Sequence, residues 1–314
     1  MKKLILLFSF ISVGILYNCS YQEEVFINDT SIDSGYQVSN FFSAVDSLNL
    51  SFPDDYSTRG SFWSGSTKFL ADAAGSLVGG YAGSTAGLGL GVVTGNPVVG
   101  VAGWAVGRKV GSLACAAIFS GIASYVIDYQ VSIDATANEA AICIWDCNII
   151  TIIEGEECDS LGYYHNLIMS RITKDHSKYI LSDGINFSLL YDDIIGYCQE
   201  YGFDIQVFRH KVIKNELIHL ACIAADNSKF AFEEAVLKNC ELLQSLQVPE
   251  NRISIYSNLC LTIGRKLSQL SEETISDYSD NLNELIQNSH LDEENVEIIQ
   301  GTTQILVNSA LCWK

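Results

Sequence analysis

Proline is nearly absent from this chain: only Pro53, Pro97 and Pro249 interrupt 314 residues. With so few obligatory breaks, long helices can run on, and the sequence predicts a mainly α fold. Positive charge is also scarce, with 18 Lys and Arg against 37 Asp and Glu and a formal net charge of −19. Such a surface repels phosphates, which excludes a general nucleic-acid binder. Catalytic vocabulary is thin as well. The glycine-rich stretch has no GKS or GKT ending, "GLGLGVV" does not satisfy G-x-G-x-x-G, and neither G-x-S-x-G nor H-E-x-x-H occurs. The acidic clusters "SEETISDYSD" and "LDEENVE" lack the central glycine and closing glutamate of an EF-hand loop and read as solvated faces. No metal site and no cofactor is expected.

What is present begins with an address. Met1-Lys2-Lys3 is followed by the apolar run "LILLFSFISVGILY" and then Asn18-Cys19-Ser20. A basic end before a short apolar stretch is the plan of a secretory signal. With "LYNC" at the place of the lipobox, the segment resembles a bacterial lipoprotein signal peptide. That resemblance implies removal of residues 1–18, diacylation of Cys19, and a location in the bacterial cell envelope, anchored to the outer membrane. Gln22-Glu23-Glu24 is similar to acidic signals that carry some lipoproteins to the cell surface; a plain solvated tether is the other reading. Residues 19–64, rich in Ser, Asp, Asn and Tyr, read as the acylated end and a flexible tether.

Next comes a segment, 65–130, that reads as a helical hairpin. No charged residue stands between Asp72 and Arg108, and Asn96-Pro97 divides the stretch into two arms. Gly75, Gly79, Gly83, Gly87, Gly91 and Gly95 recur at every fourth position in the first arm, and Gly103, Gly107 and Gly111 in the second. Glycine costs roughly 0.5–1 kcal/mol in a helix relative to alanine, so a regular series implies a compensating contact. At this spacing the glycines line one side of a helix and let another backbone approach. The pattern resembles the glycine-zipper motif, with Gly79, Gly83, Gly87 and Gly91 as the expected contact face. Two environments stay open: the hairpin enters a bilayer or associates with itself there, or it is buried against the rest of the protein. Arg108 and Lys109 oppose a second membrane span that starts at Pro97.

Residues 131–158 form a transition segment, and 159–314 read as an α-helical domain, with candidate helices near 208–225, 229–247, 250–270, 272–289 and 292–312. Besides Cys19 there are nine cysteines, an odd number, so full pairing within the chain is impossible. His165-Asn166 places an imidazole beside an amide, and with Cys198 or Cys158 as nucleophile would suit a thiol hydrolase. The leading expectation is a lipid-anchored envelope or cell-surface protein acting through the hairpin on a membrane or a protein partner, in a toxin-like or antagonistic role. The alternatives are a structural or binding lipoprotein with the hairpin as core, and a cysteine hydrolase.

Overall fold

A computed structural model describes residues 30–54, 62–94, 97–134, 161–181 and 184–312. Among the described residues ten principal helices carry the fold, which is mainly α as the scarcity of proline predicts. They are α1 (Thr30–Ser51), α2 (Phe62–Thr94), α3 (Pro97–Asp134), α4 (Leu161–Lys174), α5 (Phe187–Glu200), α6 (Lys211–Asn227), α7 (Phe232–Ser245), α8 (Glu250–Leu259), α9 (Glu272–Gln287) and α10 (Glu293–Cys312). Helix α8 continues through a π turn, Cys260–Gly264, into the short helix Arg265–Leu267. A two-residue antiparallel ladder pairs Ile180 with Ile185 and Leu181 with Gly184.

Local chemistry sets the boundaries. Ser271 caps α9 by accepting from the Thr274 N–H at 3.3 Å, and Glu272 and Glu273 in its first turn complement the helix dipole. Asn186 caps α5 through the Leu189 N–H at 3.0 Å, and Gly202, at φ +89°, takes the left-handed conformation just beyond that helix. Pro97 opens α3, where its missing N–H costs no helical bond.

The long helices α2 and α3 run antiparallel and share one hydrophobic core with α1 and the C-terminal helices. Phe69 of α2 meets Phe232 of α7, and a methyl at Gly121 of α3 would touch Ile194 and Leu190 of α5. The hairpin and the helical domain therefore form one body, where the sequence suggested two successive units. Likewise, the expected flexible tether contains α1, whose Phe41, Phe42 and Val45 are buried. Its far end is fastened by Asn49, which donates to the Thr262 carbonyl at 3.4 Å and accepts from the Tyr278 hydroxyl at 2.7 Å. The signal peptide, Cys19 and most of the transition segment lie outside the described residues.

Candidate functional site: a hairpin rooted in the body

The seam between α2 and α3 is built from glycine backbones. A methyl group at Gly75 would sit 2.6 Å from the Cys115 carbonyl oxygen and 2.8 Å from the Phe119 side chain. At Gly79 the first atom met is the Gly111 carbonyl oxygen, and at Gly83 the Gly107 carbonyl oxygen, each closer still. Gly111 returns the contact on Gly79 and Gly83. The two helices thus touch main chain to main chain, which any Cβ would prevent. Gly87, Gly91 and Gly103 stand on helical backbone whose surroundings lie outside the described residues, as does Gly95 altogether.

At the level of Gly83 and Gly107 the hairpin passes through a collar of charge. Arg108 is 4 % exposed, and its guanidinium donates to Glu297 at 2.9 Å and lies 3.6 Å from Glu294, both on α10. Burial lowers the Arg108 pKa while the neighbouring carboxylates raise it. Arg252 of α8 also pairs with Glu294 and stacks 5.3 Å over the Tyr81 ring. Lys109 is exposed. The residue that argues against a membrane span at Pro97 is therefore the rivet between hairpin and body. Desolvation of the buried guanidinium offsets much of its attraction to Glu294 and Glu297, whose carboxylates stay partly exposed.

Below the collar lies a buried polar network. The Ser309 hydroxyl of α10 donates to Asp72 of α2, and Nε2 of His165, on α4, is 3.8 Å from the same carboxylate. His165 Nδ1 is 3.1 Å from the Asn166 amide oxygen. Asn166 in turn donates to the Asn308 backbone oxygen at 3.1 Å and to its side-chain oxygen at 3.3 Å. Because the amide nitrogen of Asn166 is committed to Asn308, its oxygen faces the imidazole, which places the proton on Nδ1. Asp72, His165 and Ser309 are all fully buried, and burial lowers the imidazole pKa to about 4. In this arrangement the serine hydroxyl donates to the carboxylate, whereas a nucleophile must hydrogen-bond to its base. The network clamps α2, α4 and α10 together.

The cysteine nucleophile fares no better on physical grounds. Burial pushes the Cys198 thiol up to about 12, away from the depressed value that gives a reactive thiolate. Among the described residues, Cys115, Cys198, Cys222, Cys240 and Cys260 are free thiols, all buried or half-buried. Cys158 lies outside the described residues. Thiol labelling of the folded protein should modify Cys115, Cys198 and Cys260 more slowly than the half-buried Cys222 and Cys240. Preferential labelling of Cys198 would contradict this and bring the hydrolase reading forward. Among the described residues, no group of three or more His, Cys, Asp or Glu side chains could hold a metal ion.

A surface groove of about 730 Å³ runs between α1 and α9, with Phe41 and Leu48 on one wall and Leu285 and His290 on the other. It shows that α1 and α9 lie side by side in opposite directions, since Asn49 meets Tyr278 while Tyr36 lies near the His290 end. Sequence reasoning named Gly75, Gly79, Gly83, Gly107 and Gly111, which meet in the seam, and singled out His165-Asn166, but missed Asp72, Ser309, Arg252, Glu294 and Glu297 as their partners. The one available signal was that Asp72 and Arg108 are the charges bounding a long uncharged run. No protein-family model, curated protein or solved structure matches the chain.

Proposed function

We propose that this is a lipid-anchored envelope protein that contacts a membrane through the tip of its helical hairpin, residues 84–106. One observation carries the reading: the uncharged run extends past the charged collar on both arms. Beyond Gly83, α2 continues to Thr94, and before Gly107, α3 reaches back to Pro97. At about 1.5 Å per residue these arms are about 15–17 Å long, close to half of the hydrocarbon core's roughly 30 Å. A helical hairpin satisfies its own backbone along both arms, and the opposed dipoles of the adjoining ends offset one another. The tip is thus sized for one leaflet and not for a full span. The apolar helix Gly107–Ile127, which has the length of a span, is almost wholly buried inside the body and serves as core.

The reading has a direct test. The chain from Ser20 onward, which carries neither the apolar run 4–17 nor an acyl group, should float with zwitterionic vesicles. Leu90→Asp combined with Val99→Asp places a charge on each arm of the tip, each costing about 2.5–3.5 kcal/mol at the bilayer centre. Vesicle partitioning should fall by roughly 100-fold or more while the melting temperature stays within roughly 2 °C. If this shortened chain stays at the bottom of the gradient, the hairpin is only a core element. The alternative of a structural or binding lipoprotein, which the burial of residues 68–80 and 110–125 favours, would then stand.

A further inference from the structure

We infer that the hairpin tip enters the same bilayer that holds the Cys19 acyl chains, making the two a pair of anchors on one membrane and not a weapon aimed at another. The inference rests on the membrane reading above and adds its direction. It follows from where the chain leaves the body.

Three helices fix the geometry. On α10, Glu294 reaches Arg108 and Arg252 at the collar, whereas Ser309 reaches Asp72, so α10 starts at the collar and runs away from the tip. On α8, Arg252 lies over Tyr81 at the collar, and the π turn that follows ends at Gly264 beside Phe69, again away from the tip. Helix α9 begins at this distant end, where Tyr278 and the Thr262 carbonyl both bind Asn49. It finishes by His290, four residues before Glu294, and so returns to the collar.

Helix α1 runs opposite to α9. Its last residues are bound at the distant end by Asn49, and by Asp54 just beyond it, which holds Lys266 at 2.7 Å. Its earlier residues, Tyr36, Gln37 and Asn40, line the groove that reaches His290. Thr30 lies six residues further toward the N-terminus, about 9 Å along the helix axis. The chain that links Cys19 to the body therefore joins it at the collar end, the end from which the hairpin tip leaves.

Reach agrees with direction. Residues 20–29 span at most about 36 Å when extended, at about 3.3–3.6 Å per residue. With the collar at the headgroups and the tip in the hydrocarbon, Cys19 can lie in the same leaflet without moving α1. To send the tip into an opposing membrane, the body would have to turn end over end on that link. The two acyl chains on Cys19 already hold the chain at one bilayer, so the tip meets that surface at high effective concentration and, once inserted, fixes the orientation of the body on it.

The experiment uses the acylated full chain, its lipid confirmed by mass, reconstituted into zwitterionic vesicles. Trp63, Trp145 and Trp313 are changed to phenylalanine, leaving Trp104 on the tip as the reporter. Brominated lipid, which quenches tryptophan on contact, is placed either in the host vesicles or in added acceptor vesicles. At least a two-fold loss of emission with brominated hosts, and less than a tenth with brominated acceptors, is the expected result. Quenching from acceptors at or above the host level would overturn the shared-bilayer inference and leave the membrane reading intact. Quenching from neither overturns both. A chain that carries no acyl group on Cys19 removes the first anchor and with it the inference.

Discussion

Replacing Gly83 with alanine should destabilise the protein by roughly 3 kcal/mol or more, lowering the melting temperature by roughly 6–12 °C. Helix propensity predicts the opposite sign, because alanine is favoured over glycine by about 1 kcal/mol in a helix interior. The contact decides the outcome. A Cβ at Gly83 runs into the Gly107 carbonyl oxygen and approaches the Gly111 Cα at 3.2 Å, and both obstacles are main chain. Neither can swing aside as a flexible side chain would, so α2 and α3 must part along a seam whose lower half is core. Gly79→Ala should behave alike. The internal control is Gly196 of α5, where an added methyl group would have nothing within 4 Å of it. There alanine should stabilise by about 0.5–1 kcal/mol. Equal melting shifts for Gly83→Ala and Gly196→Ala would mean that the seam is not in contact. Leucine at Gly83 would disturb the fold itself, which is why charges on the tip are the cleaner test of the proposed membrane contact.

The second large effect is a dependence of stability on acid. His165 is held neutral by burial, its pKa lowered from 6.5 to about 4. In the unfolded chain the imidazole takes up a proton as pH falls below about 6.5, whereas in the folded chain it does not until about 4. Between those values the unfolded state binds more protons, so the contribution is fully present above pH 6.5 and is lost progressively toward pH 4. The shift corresponds to about 3 kcal/mol at the acid end. Denaturant titrations across this window should show wild-type stability falling as pH drops. His165→Gln, which keeps a hydrogen-bonding group without the charge change, should flatten His165's share of that slope. An unchanged slope in the variant would assign the acid sensitivity to other groups. The neighbours that share the site are Asp72 from α2, Asn166 from α4, and Asn308 and Ser309 from α10.

Much of this architecture is legible in the residues, for reasons of range. Glycine at every fourth position reports a helix side without side chains because the period is local, and the partner arm follows directly after a proline-marked turn. The α9 boundary is similarly local, since Ser271 and the two glutamates after it act within a single turn. Helix α1 escaped notice because Ser, Asn and Asp, which compete with the backbone for hydrogen bonds, dilute the spacing of Phe41, Phe42 and Val45. Its identity as a helix comes from docking on α9 and the π turn. The polar network was beyond sequence reasoning altogether. Ser309 and Asp72 are 237 positions apart, and Arg108 and Glu297 are 189 apart. No periodicity connects such residues; only the shared core does, and the same core merges what composition divides into hairpin and domain.

The pairing of Gly79 with Gly111 and of Gly83 with Gly107 is symmetric about the turn, and that symmetry limits how the hairpin can change length. One residue inserted into a single arm above the seam would rotate everything beyond it by about 100° and unmatch the two arms. Seven residues added to both arms preserve the facing sides and lengthen the prong by about 10 Å. The reach of the prong beyond the collar is thereby a discrete, heritable quantity that variation can reset only by matched changes on both sides of residue 95, leaving the body beneath untouched.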